Sequence, residues 1–210
     1  MSVATAPHPQ PLRSIYAVGD DDLPYVTEEP PLRYVRMSLE KFLTLPDQKP
    51  KVEWRDGWAV FMMAPALRKH GRIQGKICAL LDAALPDCDV VVEGGLALDT
   101  SRRAPDVVVW ANIGGDDDYW SEEQPILAVE VLSKSTRREV LVLKRAELAR
   151  NGTGQYWIVD PKKRNIMVLR NQGQEWGEPL FIDDANPIAD IAVADKGIVH
   201  IDLDKLMPIP

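Results

Sequence analysis

The chain has 210 residues, 45% of them hydrophobic and 27% charged, which suits one globular domain with a sizeable core and excludes a disordered or fibrous polymer. Its formal charge of -7 argues against an all-over basic coat for nucleic acid, since phosphate binding depends on lysine and arginine. No run approaches the roughly 18 apolar residues of a bilayer span, and the amino terminus lacks a basic head followed by an apolar block, so cytoplasmic residence without membrane attachment is expected.

Residues 1–32 form a Pro-rich extension: Pro7, Pro9, Pro11, Pro24, Pro30 and Pro31 flank the acidic run Asp20, Asp21 and Asp22, a composition that resists both helix and sheet. The domain proper is expected over 33–210. Ser38 is a candidate N-cap for a short amphipathic helix that Pro46 closes. A hairpin follows, Lys51 to Trp54 and Trp58 to Met63, turning at Asp56-Gly57. Apolar residues at Leu67, Ile73, Ile77, Leu80, Leu81 and Ala84 repeat with helical spacing and predict a long helix to Leu85, despite two glycines inside it.

Short β-rich runs come next, at 89–93, 96–98, 106–110 and 126–132, before a second long helix from about Ser135 to Arg150. Strands over 155–159 and 165–169 flank the Asp160-Pro161 turn, and the tail beyond Gly177 is expected to add an edge strand and a return segment. Cys78 and Cys88 have no metal-ligand spacing and read as structural. This order predicts an α/β domain of mixed α+β character, a central mixed sheet with helices on its faces. No Gly-rich phosphate loop is present, so no nucleotide cofactor is expected.

Chemistry concentrates where charge interrupts apolar pattern. Glu130 lies in Ile126-Leu-Ala-Val-Glu-Val-Leu132, apolar on both alternating faces, so it needs a proton, a cationic partner or a metal. Asp106 begins a similar strand after Pro105. Lys144 has Val140, Leu141 and Leu148 at helical neighbour positions and should point inward. Two carboxylates and an inward ammonium fit either a structural ion-pair group or a cation-assisted site. From Leu132 to Arg164, nine basic residues face three acidic ones, a local basic surface on an acidic chain.

Pro105-Asp106, Val129-Glu130-Val-Leu-Ser133-Lys-Ser135-Thr136, Lys144 and Gln155-Tyr-Trp-Ile-Val-Asp160-Pro161 together resemble the signature of the Uma-two family of endonucleases. That family lies within the restriction-endonuclease-like PD-(D/E)xK superfamily. Val52-Glu53, Asp56-Gly57, Met63-Ala-Pro65 and His70 extend the similarity, which covers roughly residues 37 to 170. The resemblance implies a restriction-endonuclease-like fold and hydrolysis of DNA phosphodiesters with Mg²⁺ or Mn²⁺. Asp106 and Glu130 would be ligands, Lys144 the catalytic cation, and the carbonyl of Val131 and the side chain of Glu53 further metal donors.

His70 is a candidate accessory residue, and Arg102 and Arg103 are placed to contact phosphate near the metal. Two positions depart from the family pattern: Val140 stands where an acidic residue is common and Leu148 where a tyrosine is common. Superfamily analogy allows a homodimer. A catalytically idle protein that keeps the fold to bind nucleic acid or a protein partner is the alternative.

Overall fold

The computed structural model describes residues 32–46, 51–62, 68–112, 119–133, 137 and 139–207. The Pro-rich extension through residue 31, the Met63-Ala-Pro65 segment and 134–136 of the Ser-Lys-Ser-Thr motif lie outside them. Leu32, assigned from sequence to the extension, instead opens the first strand.

That strand, β1 (Leu32–Arg36), precedes helix α1 (Leu39–Leu43). Ser38 caps the helix as expected, its hydroxyl accepting from the Lys41 amide at 3.2 Å. Strands β2 (Val52–Arg55) and β3 (Trp58–Met62) form the predicted hairpin. Asp56 and Gly57 turn it with φ of 47° and 84°, the paired left-handed conformation that suits a tight hairpin and that Asp-Gly tolerates well. Helix α2 (Arg68–Ala84) follows, then β4 (Asp89–Val92), β5 (Gly95–Leu98), β6 (Ser101–Arg103), β7 (Val107–Trp110), β8 (Trp120–Ser121) and β9 (Leu127–Val131).

A π-helical segment, Glu139–Lys144, leads into α3 (Arg145–Arg150). After these come β10 (Gln155–Asp160), β11 (Asn165–Arg170), β12 (Leu180–Ile182), β13 (Ile188–Val193), β14 (Gly197–Asp202) and α4 (Leu203–Leu206).

The expected mixed sheet is present in the order β12-β11-β10-β9-β7-β4, with β9 and β10 parallel and the other neighbours antiparallel. Helices alone do not cover it. On one face lie α2, α4 and the β13-β14 hairpin, whose Ile73, Ile77, Leu81, Val199 and Leu203 pack on Val107, Val129 and Trp157. The other face takes Val140 and Leu148 from the π-helix and α3, with Leu96 and Leu98 from β5, against Val108, Ala128 and Ile158.

Strand β5 belongs to a second six-stranded sheet, β1-β3-β2-β6-β5-β8, where one central sheet was expected. Its short strands were hard to foresee because β6 and β8 have three and two residues. Beyond Gly177 the tail adds β12 at the edge of the central sheet and then the hairpin β13-β14. The site follows from this layering: β2 and β6 bring one group of charges to the face where β7, β9 and the π-helix bring another.

Candidate active site

Asp106 is 5% exposed, Glu130 4% and Lys144 2%, a degree of enclosure that leaves each charge dependent on protein partners. Strand pairing accounts for two of them. Val107 lies opposite Val129, so Asp106 and Glu130 fall near each other across β7 and β9, and Asp106 Oδ2 accepts the Val131 amide at 2.8 Å. Lys144, the last residue of the π-helix, reaches down to Glu130 Oε1 and, at 2.7 Å, to Glu53 Oε1. The three groups singled out by sequence therefore converge, and Glu53 joins them.

Glu53 is completely buried on β2. Its Oε1 also accepts the Ala104 amide at 3.0 Å, and its Oε2 receives Arg103 Nη1 at 3.0 Å. Arg103 is thus no surface phosphate contact: it is fully buried, and its Nε and Nη2 donate to Glu147 at 2.7 and 2.8 Å. Arg102 is half-buried, and its Nη1 binds the carbonyls of Leu98 and Ser101 at 2.9 and 3.0 Å. The expectation is corrected for Arg103: two arginines after a turn read as an exposed loop, whereas β6 draws this one into a sheet and encloses it.

Sequence reasoning missed three further participants. Glu147, one helical turn beyond Lys144, completes a chain from α3 through Arg103 and Glu53 back to Lys144, with the Ser101 hydroxyl donating to it at 3.0 Å. Lys51 Nζ lies 3.5 Å from Asp106 Oδ1 and 3.9 Å from Glu93 Oε1. Gln74, on α2, donates to the Asp106 carbonyl at 2.9 Å. The signals were spacing: Lys51 alternates with Glu53 onto one side of a strand, and Glu147 lies at i+3 from Lys144. His70, predicted as accessory, is placed against Asp106, with Nε2 3.4 Å from Oδ2. Val131 enters through its amide.

Each group answers this crowding. Burial pushes the Glu130 carboxyl up to about 7; Lys144 resists that shift, and the charge on Asp106 adds to it. For Glu53 burial acts the same way, but Lys144 and Arg103 outweigh it and hold the carboxyl at about 2. Asp106 is also held well below the usual range, since Lys51, His70 and the Val131 amide together overcome burial. Lys144 stays above its ordinary value: burial opposes its charge, and Glu130 and Glu53 more than restore it. The hydrogen bond to Asp106 raises His70. Such an array can hold a proton on Glu130 near neutrality and keep an ammonium charged among carboxylates. Among the described residues, no three His, Cys, Asp or Glu side chains form a metal-holding group by themselves.

The model of the Uma2 family, described as "Putative restriction endonuclease", matches residues 39–193. The chain belongs to this family. A solved structure, a putative nuclease belonging to DUF820 from Anabaena variabilis, is similar at a TM-score of 0.68 and 20% identity, covering 81% of this chain and 97% of the other. That likeness shows a shared fold. No curated protein matches. Within the Uma2 frame, the match spans Glu53, Asp106, Glu130 and Lys144, and it takes in Glu147 as well. Among the described residues no helix is long and apolar enough to cross a membrane.

Proposed function

We propose that this member of the Uma2 family is a Mg²⁺- or Mn²⁺-dependent endonuclease acting on DNA, with Asp106 and Glu130 holding the metal and Lys144 as the catalytic cation. The observation that carries the reading is the meeting of these groups, Lys144 on Glu130 and Asp106 on the amide of the next residue, Val131. Hard cations take oxygen ligands and keep several waters. Two carboxylates, with the Val131 carbonyl and Glu53 as further oxygens, suit that preference. The charge balance suits it too, because a Glu130 carboxyl raised to about 7 by burial is one that a divalent cation would return to its ionised form.

When bound, the metal supplies a water of lowered pKa and a positive charge for the phosphate oxygens. The chain's own groups do the rest. Lys144, anchored by Glu53, holds an ammonium where negative charge develops on the phosphate. His70 fixes Asp106 from the α2 side, and Lys51, 16% exposed, offers a cation at the mouth for a neighbouring phosphate oxygen.

Purified protein with Mg²⁺ should nick or cut plasmid, and Asp106→Ala and Lys144→Ala should each lower the rate by about 100-fold or more. Equal cleavage by wild type and both variants removes the assignment. The alternative, a catalytically idle protein that binds nucleic acid or a protein partner, has one observation in its favour: Lys51 and Lys144 already neutralise the carboxylates that a metal would need. Calorimetric titration with Mn²⁺ separates the two, since the idle protein takes up none near neutral pH.

A further inference from the structure

Beside the carboxylates lies a cleft of about 280 Å³ whose walls include Phe42, Lys51, Glu93, Tyr119 and Trp120. Lys51 belongs to both places, with one side of its ammonium toward Asp106 and the other toward Glu93. The aromatic wall is built, not incidental. Phe42 is a buried anchor from α1, and the Trp120 ring lies against it at 5.6 Å between centroids. Tyr119 meets Trp120 edge-on at 4.7 Å, and its hydroxyl donates to the Glu93 carbonyl at 2.7 Å. Close approach of this pair depends on Gly95, where a Cβ would come within 2.3 Å of the Tyr119 carbonyl oxygen and 2.8 Å of the Trp120 ring.

Even so, Tyr119 is 55% exposed and Trp120 only half-buried. A lone exposed tyrosine needs no explanation. Two oriented aromatic rings beside a lysine that reaches a candidate catalytic aspartate do.

We propose that this cleft is a subsite for one unstacked nucleobase of the substrate strand, with Tyr119 and Trp120 as the stacking wall and Lys51 receiving the phosphate next to that base. The inference rests on the nuclease reading and deepens it, by naming the form of nucleic acid the site takes. Its size is near the lower end of small-molecule clefts, about 300 to 1,000 Å³, enough for a single base and too small for a base pair within a duplex. A base in continuous stack offers no free face to an aromatic side chain. The substrate near the scissile phosphate is therefore single-stranded, frayed or flipped out. Aromatic stacking with a backbone-tracking cation is the general means by which proteins hold such strands without reading sequence.

The test uses the full chain, EDTA to prevent cleavage, and a short single-stranded oligonucleotide bearing 5-iodouracil, which crosslinks to an aromatic ring on which it stacks. After irradiation, peptide mapping should place the adduct on Tyr119 or Trp120. Tyr119→Leu and Trp120→Leu should each weaken binding by about five-fold or more, and the matching duplex should bind less well than the single strand. Tyr119 is exposed enough for its substitution to spare the fold, which circular dichroism checks. Adducts elsewhere with undiminished affinity in both variants overturn the subsite, as does the absence of oligonucleotide binding. Plasmid cleavage that depends on Lys144, together with either of those results, leaves the nuclease reading standing and this subsite refuted.

Discussion

Glu130 couples its own proton to the stability of the whole chain. Its carboxyl titrates near 4.5 in an unfolded chain and at about 7 in the folded one, chiefly because burial disfavours the charge. Between those values the folded chain keeps a proton that the unfolded chain has released, so stability falls as pH rises through the window and levels off above it. Glu130→Gln lacks that proton. In EDTA, urea unfolding of the wild type should lose about 1 to 3 kcal/mol relative to the variant from pH 4.5 to 7. A difference that stays flat across the window would show that the Glu130 carboxyl titrates no higher in the folded chain than in the unfolded one. Asp106, Glu130 and Lys144 were legible in the sequence because each interrupts an apolar pattern. Arg103 and Glu147 were not: a buried pair of opposite charges carries the same letters as two exposed ones, and only the pairing of β6 with β2 and β5 reveals the enclosure.

Between residue and fold, the two long helices behave differently. Helix α2 matches its predicted span within a residue or so, because Ile73, Ile77 and Leu81 repeat along one buried stripe. Its two interior glycines, Gly71 and Gly75, have no heavy atom within 4 Å of where a Cβ would lie. Neither is required by packing, so Gly75→Ala should raise stability by about 0.5 to 1 kcal/mol, through the lower conformational freedom of alanine in the unfolded chain. Chemical denaturation reads that gain; a loss would mean that the exposed face of α2 meets something else.

The other expected helix contains a π turn that sequence could not announce. Val140, Lys144 and Leu148 are all buried, at spacings of four that an α-helix would rotate steadily around its axis. A widened turn keeps all three on the sheet side, and π turns of this kind recur where a side chain must be aimed at a functional site. The chain thus obtains an inward lysine at the junction of two helix types, with Glu147 holding the α-helical half through Arg103.

At the scale of the molecule, the central sheet was legible from its apolar strands and the second sheet was not, for want of long strands with a clear period. That second sheet holds the β2-β3 hairpin with Glu53, which sequence did show, beside β6 with Arg103 and β8 with Trp120, the short strands whose pairing it did not. Charge distribution follows the same logic. The chain carries -7 overall, yet the turn after β10 exposes Lys162 and Lys163, and Lys69 ties that turn to the start of α2 by donating to the Pro161 carbonyl at 3.2 Å.

The next residue, His70, contacts Asp106, so the start of α2 links the turn that carries the exposed lysine pair to the aspartate of the site. A nucleic-acid strand leaving the carboxylates in that direction would meet these cations before it meets the acidic remainder of the surface. Neutralising a phosphate releases condensed counterions, and each contact on single-stranded nucleic acid contributes about 0.7 to the slope of log affinity against log salt. Replacing both lysines by alanine should therefore weaken binding alike for all sequences and reduce that slope by about 1.4, without altering where iodouracil crosslinks. Binding titrations across a salt series measure this directly; an unchanged slope would mean that the strand leaves the site by another route.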